Sequence, residues 1–290
     1  MISIPTRLLE LCPKTTISAL LADLEHALPL LGGRRPLSLF LGGGTPSLFA
    51  PAMIGRLLEG VHARLPWQDG AEITLEANPG TLAAAHFSAL RQAGINRLSL
   101  GIQSFSATPL KILERIHTPE EARQAAALAC RHFERVNLDL MYGLPGQSLA
   151  QAQADVDTAL SFRPQHLSCY QLTLEPGTRF AAVPPPDMPD EALCADMQEA
   201  IESRLAGAAY LHYETSAFAE VGQQCRHNLN YWQFGDYLGI GAGAHSKISS
   251  GYGIVRQERW NHPQDYLRHG AAGTPVQEEH EIVPGDLPLE

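Results

Sequence analysis

No two cysteines in this chain stand close enough to form a recognisable metal or cluster motif. The five, Cys12, Cys130, Cys169, Cys194 and Cys225, are odd in number and scattered. That is a poor disulfide framework, and the plain reading is buried or incidental thiols. Positive charge is also scarce: 21 Lys and Arg stand against 31 Asp and Glu, a net charge of −10. With no basic cluster interleaved with aromatics, this argues against a general nucleic-acid or anionic-membrane binder. No apolar run reaches the length of a membrane span. The opening "MISIPTRLLELCPK" lacks the charged start and apolar block of a signal peptide, so the cytoplasm is the expected compartment. A P-loop is missing too. "GGGTP" at 42–46 has no Lys-Ser/Thr after its last glycine and does not fit G-x-G-x-x-G.

What the chain does have is ordinary globular material: 290 residues, 44% hydrophobic and 18% charged. That suffices for one large domain or two modest ones. Short apolar runs at 38–43, 72–80, 97–105, 136–146 and 166–177 read as strands, with another near 209–218. Helical patterns fall at 51–65, 81–94 (capped by Thr81 and stopped by Gly94), 109–116, 119–132, 148–161 and 190–206. Apolar spacing from Ile17 to Leu31 predicts a helix ahead of the first of these strands. The alternation predicts βαβ units, a parallel sheet and helices outside it. Five or six units are too few for a closed eight-stranded barrel, so the expected fold is α/β, an open or partial barrel.

Polar residues recur at the C-terminal ends of these strands: Thr45, Glu76, Gln103 with Ser104, Asp139, and Gln171 with Thr173. In barrel-like α/β folds the loops converge at that end and ligands sit there. Asp139 alone could equally be a paired structural carboxylate. The glycines of "GGGTP" could serve a tight turn, or could let backbone groups approach a ligand.

Five segments, "FLGGGTPSLF", "LEANPGT", "RLSLGIQSF", "NLDLMYGLPGQ" and "CRHNLNYWQFGDYLGIGAGAHSKI", together resemble the radical S-adenosylmethionine (SAM) family. Within it they resemble the oxygen-independent coproporphyrinogen III oxidase-like branch, and in that branch the haem chaperones. The resemblance runs from about Ile17 to the end of the chain. It implies a partial (β/α)6 TIM-like barrel and a set of SAM contacts. Gly43, Gly44 and Thr45 would meet the methionyl ammonium, assisted by Glu76. Gln103 and Asp139 would bind the ribose hydroxyls, and Arg115 would clamp the methionyl carboxylate. Thr173 and His245 fall where the family meets the rest of SAM. Taken alone, Arg115 reads as a solvated helix charge. His227, Asn228, Tyr231 and Trp232 match an H-N-x-x-Y-W motif tied to haem binding; a His and aromatic cluster bracing the barrel is the alternative.

The family also carries C-x-x-x-C-x-x-C, three thiolates that hold a [4Fe–4S] cluster. Residues 1–16 show a single cysteine, Cys12, and no strand-like run. The expected organisation is therefore a non-matching segment over 1–16, the barrel with the haem motif over 17–250, and a linker over 251–290 toward a C-terminal domain. The first strand and cluster loop are expected to be missing, leaving a bare sheet edge that favours aggregation. The expected function is a SAM- and haem-binding chaperone that passes haem or porphyrin to an accepting protein. One alternative is radical decarboxylation of coproporphyrinogen III. The other is a non-radical small-molecule enzyme on a partial barrel.

Overall fold

The structure is a computed structural model that describes residues 2–3, 13–251 and 253–282. It divides into two compact units, one of Met1–Glu76, Ser88–Asn96 and Arg226–Glu290, the other of Ala77–Phe87 and Arg97–Cys225.

In the first unit, strand Ser38–Gly42 pairs in parallel with strand Glu72–Ala77, in register from Ser38 opposite Glu72 to Leu41 opposite Leu75. Its other edge is not bare. Ile2–Ser3 pairs in parallel with it, Ile2 opposite Leu41 and Ser3 opposite Gly42. This corrects the expectation that residues 1–16 hold no strand: two residues are too few to show any periodicity. Cys12 lies outside the described residues.

Helix Pro13–Leu31 buries Leu20, Leu24 and Ala27, and helix Pro51–Arg64 buries Leu57, Leu58 and Val61. Beyond residue 250 the expected linker is instead folded structure, as far as Ile282. Strands His245–Ser250, Gly253–Arg259 and Val276–Ile282 form an antiparallel sheet, with helix Pro263–Ala271 between the last two. The misleading signals have physical causes. Pro263 opens a helix, where a missing N–H does no harm. "VQEEHEI" is an edge strand exposed along most of its length. This part is pinned by Arg259, whose Nε donates to Asp23 Oδ1 at 3.1 Å. The Tyr266 hydroxyl donates to Asp23 Oδ2 at 3.0 Å, and all three residues are buried.

In the second unit, strands Arg97–Gln103, Val136–Tyr142 and His166–Gln171 are parallel neighbours in that order. The first is buried at every position, as a strand covered on both faces should be. The strand expected near 209–218 is a hairpin, Leu211–Glu214 with Ala217–Ala219, and its second arm runs antiparallel to His166–Gln171. Helices Pro119–His132 and Leu149–Ser161 start on complete capping boxes, Thr118 with Glu121 and Ser148 with Gln151. Thr81 does not cap a helix. Its hydroxyl donates to the Asn78 carbonyl within a short 3-10 turn, and the helix begins at Ala84. Among the described residues, no helix is long and apolar enough to cross a membrane.

Candidate functional site

In the first unit the chain leaves strand Ser38–Gly42 through Gly43 and Gly44, at φ 81° and 120°. Side chains rarely adopt these angles, so the loop needs glycine there. Gly42 is bare for a different reason. A Cβ on it would stand 2.8 Å from Glu76 Oε2 and 2.7 Å from Phe40 Cε1. Glu76 therefore lies across the strand end beside the loop that Thr45 closes.

Phe40 stacks on His227, with ring centroids 4.4 Å apart and planes 18° apart. His227 sits at the start of helix Arg226–Trp232. The buried Glu72 carboxylate accepts the Arg226 N–H at 3.0 Å and the His227 N–H at 3.4 Å, which fixes the helix start. Tyr231 meets His227 edge-on at 4.9 Å and packs on Tyr237 at 4.6 Å. Burial pushes the His227 imidazole down to about 3, so it is neutral in ordinary buffers. Neither ring nitrogen has a hydrogen-bond partner among the described residues. Asn228 shares the helix, and Trp232 at its end is 60% exposed. His245 stands apart from these residues in the sequence, in an antiparallel strand. It is exposed and faces Glu258 across the sheet at 4.0 Å.

In the second unit the chemistry lies on one face of the parallel strands. Asn137 and Asp139, two apart on a strand, share that face. Pairing sets Ser99 and His166 opposite Asn137, and Ser168 opposite Asp139. Asn137 Nδ2 donates to Asp139 Oδ1 at 2.7 Å and to Ser99 Oγ at 2.9 Å. The Ser99 hydroxyl donates to Asp139 Oδ2 at 3.1 Å. With both Asn137 amide protons thus engaged, its Oδ1 must accept from His166 Nδ1, at 2.6 Å. His166 Nε2 then accepts the Tyr213 hydroxyl proton at 2.7 Å, and Tyr213 Oη accepts the Cys225 N–H at 3.2 Å. Burial holds His166 well below its ordinary value, consistent with this neutral tautomer. Every donor in the chain points toward Asp139. Burial nevertheless raises the Asp139 carboxyl above its usual range, against the hydrogen bonds from Asn137, Ser99 and Ser168 and the nearby Arg115 charge.

Gln103 ends its strand in a bulge at φ 67° and accepts the Tyr170 hydroxyl on Oε1 at 2.6 Å. The neighbouring Ser104 turns away, donating to the buried Asp155 at 2.6 Å. Arg115 lies beyond a short helix that ends at Ile112, not on a solvated helix face. One of its amino groups donates to Asn78 Oδ1 at 2.9 Å and to the Gly101 carbonyl at 3.2 Å. A Cβ on Gly101 would stand 2.9 Å from that amino group, so the glycine makes room for the guanidinium. The rest of the Arg115 fork has no partner among the described residues. Burial lowers its pKa, partly offset by Tyr170 and Asp139. Thr173 is exposed past its strand, donating to Glu175 at 2.8 Å.

A profile of the radical SAM superfamily matches residues 23–159. The heme chaperone HemW of Escherichia coli is 46% identical over 276 residues, covering 94% of this chain and 72% of that protein. This chain belongs to the radical SAM family. The HemW of Haemophilus influenzae is also 46% identical, over 93% of this chain and 70% of its own length. The mitochondrial radical S-adenosyl methionine domain-containing protein 1 of Bos taurus is 40% identical, over 79% and 53%. The solved coproporphyrinogen III oxidase HemN of Escherichia coli, a radical SAM enzyme, superposes with a TM-score of 0.83 at 22% identity, over 99% of this chain and 72% of that one. The expected partial barrel of radical SAM type is thereby borne out as the fold.

The radical SAM family implies SAM and a [4Fe–4S] cluster. The residues above fit SAM chemistry, with a half-buried carboxylate fed by neutral donors and an arginine fork open on one edge. They do not fit the cluster. Among the described residues no three His, Cys, Asp or Glu gather as metal ligands. Burial raises the Cys130 thiol to about 11 and the Cys169 thiol to about 12, which keeps both protonated. Reading the sequence missed Asn78, Ser99, Asn137, His166 and Tyr170, the residues that hold Gln103, Arg115 and Asp139 in place. The i, i+2 spacing of Asn137 and Asp139 was the available signal.

Proposed function

We propose that this chain is a haem-binding protein of the HemW type that also binds SAM. What carries this reading is the identity to HemW together with His227, a neutral imidazole whose ring nitrogens have no hydrogen-bond partner among the described residues. A neutral imidazole can ligate haem iron, and Phe40, Tyr231 and Trp232 offer flat apolar surface to a macrocycle. Asn228, on the same helix, completes the motif. Cargo would pass to an accepting protein.

On the SAM side, Asp139 and Gln103 accept and order the ribose hydroxyls. The free edge of Arg115 takes the methionyl carboxylate. Gly43, Gly44, Thr45 and Glu76 are assigned to the methionyl ammonium by the family resemblance. Thr173 and His245 are assigned to the remainder of SAM by the family resemblance alone. In the family, SAM bound to a reduced cluster is the source of a 5′-deoxyadenosyl radical. Among the described residues no set of thiolates gathers to hold that cluster, so radical decarboxylation of coproporphyrinogen III is the weaker reading.

Ferric haem titrated into the full chain should give a shifted, saturable Soret band. His227→Ala should abolish the shift, and Asp139→Ala should leave it intact. An unchanged Soret titration in His227→Ala would remove His227 as the ligand. No Soret shift in the wild-type chain would remove the haem reading altogether.

A further inference from the structure

The first unit contains a pocket of about 280 Å³, walled by aliphatic side chains that include Leu24, Leu39, Val61, Ile240 and Ile248. It opens beside the N-terminal end of strand Ser38–Gly42, opposite the end that carries Gly43 and Gly44. His227 lines it, and so does Tyr237, which packs on Tyr231. Its rim is cationic, although the chain as a whole carries a net charge of −10. Arg34 at the rim pairs with Asp236 at 3.0 Å, a carboxylate that the buried Lys247, outside the pocket lining, also approaches at 3.7 Å. Arg35 has no carboxylate partner among the described residues. It donates to the carbonyls of Trp67 at 2.6 Å and Pro66 at 3.4 Å.

An apolar interior, a metal-ligating side chain in the wall and unbalanced positive charge at the rim select a particular ligand chemistry. The ligand has an apolar body, a metal that accepts an imidazole and one anionic edge. The volume sets a further limit. Small-molecule sites run from roughly 300 to 1,000 Å³, so this pocket holds one side of a macrocycle and leaves the other side outside. The exposed Trp232 and Phe234 lie on the segment that follows His227.

We propose that this pocket seats the apolar edge of a metalloporphyrin dicarboxylate, with His227 as iron ligand and Arg34 and Arg35 as the propionate partners. The proposal rests on the haem-binding reading and adds to it the orientation of the ring and the residues that read its carboxylates. With the apolar edge inside and the propionate edge held only at the mouth, the ring faces beyond the pocket stay accessible, which suits a protein that must release its cargo.

The test compares two probes on the full chain, ferric haem and its dimethyl ester, which keeps the ring and iron but lacks the propionate charges. Arg35→Gln and Arg34→Gln together should weaken haem binding about tenfold, the scale of one or two charge-assisted hydrogen bonds. They should leave ester binding unchanged. Val61→Phe, which fills the pocket, should weaken both probes. Equal losses for haem and ester in the arginine variant, or no loss for either, would overturn the propionate assignment. Full haem affinity in a folded Val61→Phe protein would overturn the pocket, while the His227 reading would stand. Should Val61→Phe fail to fold, the arginine variant alone decides. Absence of haem binding by the wild-type chain would instead sink the haem reading and this proposal together.

Discussion

Two aspartates, one in each unit, show how differently the same side chain can be used. Asp23 is 1% exposed and fully answered: Arg259 donates to one oxygen, and Tyr266 and the Gly241 N–H donate to the other at 3.0 Å. Asp139 is half-buried, and its side-chain donors, Asn137, Ser99 and Ser168, are all neutral. Among the described residues, the nearby cation Arg115 acts on it only through space. A buried carboxylate matched with a guanidinium and two further donors is a fastening. One left short of charge, yet supplied with oriented neutral donors, is set to accept hydrogen bonds from a ligand. Sequence alone could not separate these cases, because both are single acids among apolar residues.

The largest effect should come from the fastening. Asp23→Ala strands the Arg259 guanidinium in the interior, and breaking a buried pair by removing one partner costs about 3–5 kcal/mol. Urea denaturation should show it as a lower midpoint. A loss under about 1 kcal/mol would mean the network is dispensable and the contrast with Asp139 false.

Asp139→Asn should behave in the opposite way. A carboxyl whose folded pKa is raised binds more protons folded than unfolded. Its contribution to stability is therefore greatest at low pH and is lost as pH rises through the raised value. At neutral pH the charged group is a net burden, so Asp139→Asn should melt no lower than wild type. Its affinity for SAM should fall at least about tenfold, because an amide cannot accept from both ribose hydroxyls as a carboxylate does. Calorimetric titration with SAM and a thermal melt on the same sample would check both. A large drop in melting temperature with unchanged SAM affinity would make Asp139 a second fastening.

The strands at the centre of the chain were legible because burial on both faces writes continuous apolar runs, as in Arg97–Gln103. The candidate ligand contacts were legible only through family motifs. What escaped was long-range. His166 meets Asn137 from 29 residues away and Tyr213 from 47, and only strand register brings them together. Ile2–Ser3 owes its strand to the free edge of Ser38–Gly42. Val276–Ile282 owes its strand to Gly253–Arg259, so neither shows a hydrophobic period of its own.

The finest test of the comparison is Ser99→Ala. It removes one donor to Asp139 Oδ2 and one acceptor from Asn137, while the apolar neighbours of the strand stay in place. The lost hydrogen bond had been holding the Asp139 carboxyl down, so its pKa should climb further. Protonation then sets in at a higher pH. A protonated carboxyl keeps less capacity to accept from a diol, so SAM binding should weaken at a higher pH than in wild type. One hydrogen bond to a charged group is worth about 1.5 kcal/mol, or about one pH unit. The acid limb of a SAM affinity–pH profile should move upward by no more than that, with affinity well above the limb almost unchanged. A profile that drops uniformly at every pH would mean that Ser99 positions the strand and does not tune the charge.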